Sequence, residues 1–197
     1  MTILHLSDTH GVHRELGLLP EADVIVHTGD FTWAGAESEA LDFMDWFCGL
    51  PYRHKVFIAG NHDGCLYGGN IEGLPDDCHY LCGSGVTIDG VRFWGVPLFI
   101  EDVHSKQYAA MLNAVPYDTD VLLTHQPPRG ILDMSKDDHY GSQLILQTIQ
   151  YVMPKAHLFG HVHDAYGMTK MRGTLFSNAA VVDDGYALTH VPRVIEV

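Results

Sequence analysis

Basic residues are scarce in this sequence: 11 Lys and Arg stand against 25 Asp and Glu among 197 residues, a formal net charge of −14. A chain so poor in positive charge lacks the basic face by which general nucleic-acid binders hold a phosphate backbone, so nucleic acid is not an expected partner. No apolar run approaches the roughly 18 residues of a membrane-spanning helix, so a membrane is not expected either. The opening MTILHLSDTH lacks the basic start of a secretory leader. Cysteine is nearly missing. Cys48, Cys65, Cys78 and Cys82 form no C-x2-C pair, so a structural zinc knuckle is not expected, and they read as small apolar or surface thiols of a reducing compartment. With 20 Gly and 9 Pro the chain falls short of low complexity, and no Ser/Gly linker, charge block or repeat interrupts it. These absences predict a soluble, cytoplasmic protein folded as one domain over residues 1–197.

What is present is 46% hydrophobic residues in short β-branched runs that end in polar residues. The runs are Ile3–Ser7, Val24–Thr28, Val56–Ala59, Val86–Ile88, Val91–Val96, Val121–Thr124, His157–Gly160, Thr174–Asn178 and Arg193–Val197. CHYLC (78–82) also reads as strand, and Asp89-Gly90 is a two-residue hairpin signal. Three helices are predicted between strands. Glu37–Cys48 carries Leu41, Met44 and Phe47 on one face; Lys106–Val115 carries Tyr108, Leu112 and Val115 behind a Ser105 cap; Gln143–Val152 carries Ile145, Ile149 and Val152 between a Ser142 cap and Pro154. The alternation implies an α/β fold in layers, with parallel and antiparallel strand pairs.

The ends of the strands carry the chemistry. Successive runs stop in Ser7-Asp8-Thr9-His10, Thr28-Gly29-Asp30, Gly60-Asn61-His62-Asp63, Thr124-His125 and Gly160-His161-Val162-His163. In open α/β sheets ligands bind beyond the carboxyl ends of strands, because the departing loops converge there. Asp8, His10, Asp30, Asn61, His125, His161 and His163 make seven candidate ligands, more than one tetrahedral ion can use, so two divalent ions are expected. Oxygen and imidazole donors without thiolate suit Mn, with Fe, Zn, Co or Ni as alternatives. One shared carboxylate would hold two ions about 3.5–4 Å apart, the arrangement used for in-line displacement at phosphorus by a metal-held hydroxide. The glycines before ligands, Gly29, Gly60 and Gly160, allow tight turns and close backbone approach.

In this order, D-x-H, G-D, G-N-H-D, T-H and G-H-x-H resemble the calcineurin-like metallophosphoesterase superfamily over residues 8 to 163. The resemblance implies a four-layer αββα sandwich of metallophosphatase type, two mixed β-sheets flanked by helices. It implies that Asp8, His10, Asp30 and His163 bind one ion and that Asp30, as the bridge, binds the second with Asn61, His125 and His161. His62 becomes the general acid or transition-state stabiliser, with Asp63 orienting it. HTGDFTWAGAESEALDFMDWFCGLPYRHKVFIAGNHD, LLTHQPPRGILD and LFGHVHDAYG further resemble the metallophosphoesterase-domain-containing group, whose members are similar to class III cyclic-nucleotide phosphodiesterases. Some animal members carry Gly for the first His of G-H-x-H; here His161 is retained.

The reading is therefore a dimetal phosphoesterase whose substrate is a small-molecule phosphate ester, most simply a phosphodiester such as a cyclic nucleotide. A phosphomonoesterase, a nuclease and a non-catalytic metal-bearing interaction module are the alternatives. Arg129 and His139 are candidate substrate contacts: the first for bidentate hold on a phosphate oxygen, the second for its loop between the T-H strand and a capped helix. His13 and His104 lie in loops that could border the site, Trp33 could wall it, and Asp164 could sit near the metals. His27 in HTGD could support the metal carboxylates, whereas His5, His54, His79, His157 and His190 read as packed or surface residues.

Overall fold

In the computed structural model, which describes residues 1–69, 71–102 and 106–197, the β-branched runs become strands. The amino half comprises β1 (Thr2–Leu6), β2 (Val24–His27), α1 (Glu37–Cys48), β3 (His54–Phe57), β4 (Cys78–Tyr80), β5 (Ser84–Ile88), β6 (Val91–Val96) and α2 (Lys106–Asn113). The carboxyl half comprises β7 (Val121–Thr124), β8 (Met134–Ser135), β9 (Asp138–His139), α3 (Gln143–Val152), β10 (Ala156–Phe159), β11 (Gly167–Met171), β12 (Thr174–Asn178) and β13 (Arg193–Glu196). One sheet runs β13-β1-β2-β3-β4 and the other β11-β12-β10-β7-β6-β5. In the first, β1 to β4 are parallel and β13 joins antiparallel. In the second, β6, β7, β10 and β12 are parallel, with β5 and β11 added antiparallel.

Alternation along the strands builds the layers. Ile3 of β1 turns toward Val24, Val26, Val56, Phe93, Val121 and Leu158 between the two sheets, while Leu4 and Leu6 turn outward onto Phe43 and Phe47 of α1. Tyr108 and Leu112 of α2, with Ile145 and Ile149 of α3, cover Leu122 and Phe159 on the far face of the second sheet. Three apolar clusters separated by two sheets are the expected αββα sandwich. Full burial of each such side chain is worth about 1.5–3 kcal/mol, so the clusters fix the spacing from which the loops project. Among the described residues no helix is long and apolar enough to cross a membrane.

Local expectations hold with four differences. In α1 the buried residues are Ala40, Phe43 and Phe47, and Leu41 is 57% exposed. The cause is tertiary: the Phe31 ring stacks on Phe43 at 4.2 Å and sets the helix rotation. The helix α2 ends at Asn113, although Val115 is buried as expected, and the Ser105 cap and His104 lie outside the described residues. The strands β8, β9 and β11 have no β-branched run to announce them. Finally, the cysteines are free thiols as expected, but Cys48 and Cys78 meet Sγ to Sγ at 2.8 Å, a contact their spacing does not announce. Ser142 does accept the Ile145 N–H at the start of α3, and Asp89 and Gly90 take φ of 46° and 83° in the turn between β5 and β6.

Candidate metal centre

Parallel order sends the loops after β1, β2 and β3 off one end of their sheet, and those after β7 and β10 off one end of the other. Their backbone is strained where it matters. Asp8, His10, Asp30 and His161 all adopt positive φ, at 55°, 39°, 56° and 68°. Such conformations cost non-glycine residues of order 1–3 kcal/mol and persist where surrounding structure imposes them. The imposing contacts are hydrogen bonds between loops. His10 N donates to the Asp30 carbonyl at 3.0 Å and Asp8 N to the Gly29 carbonyl at 2.9 Å. The His62 N–H reaches Asp30 Oδ1 at 2.8 Å, and His161 N donates to Asp8 Oδ2 at 3.0 Å. Glycine is required at two of these junctions: a Cβ on Gly60 would overlap Asp30 Oδ1, and one on Gly160 would overlap Asp8 Oδ2.

All seven candidate ligands come together. Donor atoms of Asp8, His10 and His163 lie within 4.8 Å of one another, as do those of Asp30, His125 and His161, and those of His10, Asp30 and His62. His163 Nε2 is 3.4 Å from Asp8 Oδ1; Asp30 Oδ2 is 3.2 Å from His125 Nε2 and 3.8 Å from His10 Nε2. Asn61 Oδ1 stands 3.1 Å from His125 Nε2. The ring orientations are set from behind. His125 Nδ1–H donates to the Thr28 carbonyl at 2.8 Å and His163 Nδ1–H to the Asp183 carbonyl at 3.0 Å, which leaves each Nε2 turned to the carboxylates.

These residues fit divalent cations on two further counts. His10 is buried, and neither of its ring nitrogens has a hydrogen-bond partner among the described residues. Buried polar atoms are normally paired, so an unpaired imidazole beside two carboxylates fits a metal-ligand position. The carboxylates also stay ionised. Burial pushes the Asp30 carboxyl up, but the His125 charge and hydrogen bond bring it down to about 2; burial of His125 is in turn outweighed by Asp30, which holds it up to about 9, a proton that a bound cation would displace. For Asp8, burial is likewise overcome by the hydrogen bond from His163 and the charges of His125, His163 and His10, well below the usual carboxylate range. Burial, then the neighbouring His125, lowers His161 to about 4, so its imidazole is neutral and able to ligate.

His62 stands beside this cluster, its ring 4.7 Å from that of His10. Its Nδ1–H donates to the Trp33 carbonyl at 2.8 Å. The expected orienting role of Asp63 is therefore corrected. The buried Asp63 carboxylate accepts the N–H groups of Asp30, Phe31, Thr32 and Gly60 at 2.8–3.1 Å, which ties the β2 loop to the β3 loop. Burial and then the Asp30 charge push its carboxyl up to about 7, against the pull of the Gly60 and Thr32 amides.

Arg129 and His139 are corrected as well. The cavity of about 280 Å³ at the centre is lined by His10, Asp30, Asn61, His62, His161 and His163 with Ser135, Tyr140, Asp184 and Tyr186, and by neither of those two. Arg129 instead borders an apolar hollow with Ile149 and Phe176 and donates to the His139 carbonyl at 2.9 Å, while the His139 ring pairs with Asp133 at 2.7 Å. His13 is buried against Phe43 and Trp46, away from the cavity. His27 touches the loops and not the carboxylates: Nε2 meets Thr9 Oγ1 at 3.1 Å and Nδ1 accepts the Gly29 N–H at 3.2 Å. Asp164 accepts from Ser135 Oγ at 2.7 Å. Tyr186 was missed by sequence reasoning. Its ring packs 4.8 Å from His10 and 4.6 Å from Trp33, and the only local sign of it is the polar turn Asp183-Asp184-Gly185.

A family model described as calcineurin-like phosphoesterase matches residues 1–165. The chain is similar to a UPF0046 protein of Caenorhabditis elegans, 34% identical over 217 residues that cover 98% of this chain and 74% of the relative. It is 33% identical to human metallophosphoesterase domain-containing protein 1 over 227 residues, 97% of this chain and 69% of that protein. One solved structure matches with a TM-score of 0.70 over 99% of this chain and 98% of its own, at 15% identity, which is a likeness of fold.

Proposed function

The chain belongs to the calcineurin-like phosphoesterase family, and from that premise we propose that this metal-dependent phosphoester hydrolase is a two-metal phosphodiesterase acting on small diesters. The observation that carries the reading is the position of Asp30. Its carboxylate belongs at once to the group with His125 and His161 and to the group with His10 and His62, while Asp8 and His163 group with His10 on the latter side. On this reading Asp8, His10, Asp30 and His163 hold one ion, and Asp30, Asn61, His125 and His161 the other. The thiolate-free set of oxygen and imidazole donors suits manganese, with Fe, Zn, Co or Ni as alternatives. Divalent ions held there supply Lewis acidity toward the phosphoryl oxygens and an activated water nucleophile. The chain's own residues do the rest. The Trp33 carbonyl holds the His62 Nδ1–H, which leaves Nε2 as the atom that hands a proton to the leaving oxygen. The four amides on Asp63 keep the Asp30 and Asn61 loops in register for substrate.

The test begins with protein stripped by chelator and restored with Mn²⁺, in which bound metal is counted and bis-p-nitrophenyl phosphate is compared with p-nitrophenyl phosphate. The expected result is two ions per chain and preference for the diester, followed by a cyclic-nucleotide panel. Asp30→Ala loses metal and turnover together. His62→Ala keeps both ions while turnover falls by about 10²–10⁴, the range of a lost proton donor. A single ion per chain, a monoester preference, or metal loss in His62→Ala would each overturn a named part of this assignment.

A further inference from the structure

Beyond His62 lies a second space. A basin of about 610 Å³, lined by Trp33, Gly35, Gly64, Cys65, Ile100 and Glu101, shares Asn61 and His62 with the metal cavity. These two residues border both spaces, and the Trp33 indole, which lines the basin, lies 6.3 Å from the His10 ring. We infer that this basin is the leaving-group subsite and that Trp33 determines its specificity, for a bulky alcohol with a flat apolar face and no negative charge. The inference rests on the proposed role of His62 as proton donor. A donor must be within hydrogen-bond reach of the oxygen it protonates, so the departing alcohol lies against His62 while the phosphoryl group faces the metal donors. A leaving group that extends past His62 enters this basin.

The walls define the chemistry. Trp33 and Ile100 are 51% and 67% exposed, large apolar side chains left facing water, as expected of surfaces completed by a ligand. The Trp33 carbonyl holds the His62 ring, so the residue that presents the indole also positions the proton donor through its main chain. Tyr186 braces the indole at 4.6 Å. Gly35 takes φ 77°, and a Cβ there would come 2.9 Å from the His62 carbonyl, so no side chain narrows that edge. Exposed Glu101 at the rim, in a chain of net charge −14, opposes an anionic tail. The size falls within the roughly 300–1,000 Å³ of small-molecule sites, and stacking on one aromatic side chain changes affinity by about tenfold or more.

The experiment uses the metal-loaded protein. Trp33→Ala is expected to raise KM for bis-p-nitrophenyl phosphate by about tenfold, with kcat within about twofold and metal content unchanged, and Trp33→Phe to restore most of it. Gly64 offers a variant that needs no truncation: an added Cβ meets nothing within 4 Å, so Gly64→Leu fills the basin and should raise KM in the same way. Dimethyl phosphate, too small to cross His62, should inhibit all variants equally. Diphenyl phosphate should inhibit more strongly than bis(p-carboxyphenyl) phosphate. Unchanged KM in both Trp33→Ala and Gly64→Leu overturns the subsite. So does a parallel loss of dimethyl phosphate inhibition, which would place the effect on the metal donors. If the wild type binds metal but turns over neither diester nor monoester, the proton-donor reading fails instead. Nitrophenyl quenching of tryptophan emission, lost in Trp33→Phe, then still decides whether the basin is occupied.

Discussion

Asp63 and His62 are adjacent and do different work, and the difference can be measured. The Asp63 carboxylate is the acceptor for backbone N–H groups of Asp30, Phe31, Thr32 and Gly60, all inside the protein. Removing it leaves those donors unpaired, at about 1–3 kcal/mol for each that water does not reach. Asp63→Ala is therefore expected to lose at least about 3 kcal/mol of stability in urea unfolding, together with metal affinity, because the Asp30 and Asn61 loops are freed from each other. His62 is partly exposed, and among the described residues its ring bonds only the Trp33 carbonyl, so His62→Ala should unfold within about 1 kcal/mol of wild type. Equal stability of the two variants would remove the anchoring role assigned to Asp63.

At the scale of elements, α1 couples the hydrophobic layer to the site. Phe43 stacks on Phe31, the residue after Asp30, and packs 4.9 Å from His27, which holds Thr9 and Gly29. Phe43→Ala should cost about 3–5 kcal/mol, read as a lower urea midpoint, whereas Leu41→Ala on the exposed side should cost less than about 1 kcal/mol. The reverse order would mean that the helix presents the face its spacing alone suggests. That spacing misled because 40-43-47 and 41-44-47 are both helical stripes, and only a tertiary partner, Phe31, chooses between them. The strand ends were legible for the opposite reason: β-branched runs stopping in Gly, Asp, Asn or His are local signals, and the seven candidate ligands follow them directly. What lay hidden acts through the main chain or through distant contacts. The Thr28 and Asp183 carbonyls orient His125 and His163, and any residue type offers a carbonyl. Tyr186 reaches His10 from a loop more than a hundred residues away. Arg129 looked suited to phosphate from its place four residues after His125, yet the chain carries it to another face.

Each of the three apolar layers holds a histidine that burial keeps neutral. His27 lies under α1 among Phe31, Phe43 and Phe47; His5 lies between the sheets, bonded to Ser177 and Thr28 at 2.9 and 3.0 Å; His157 lies under α2 and α3, against Phe159 and Phe176. Burial pushes each of them down to about 3. In the unfolded chain each would take up a proton near its ordinary value of about 6.5. Between those values the unfolded state binds more protons, so stability is full above about pH 6.5 and falls as pH drops toward 3, with a limiting slope of about 1.4 kcal/mol per pH unit for each histidine. Metal release also contributes to acid lability, so the comparison that isolates this effect is within a pair of variants. His157 bonds through Nε2 to Thr124 Oγ1 at 2.8 Å and touches no candidate ligand. His157→Gln keeps a polar group there without a titrating one. It should be less stable than wild type at pH 7.5 and gain on it by about 1.4 kcal/mol for each unit below pH 6, so that the two urea midpoints converge as the solution is acidified. Parallel midpoints from pH 7.5 to 4.5 would show that His157 is charged within the fold, and the neutral layer beneath the second sheet would have to be abandoned.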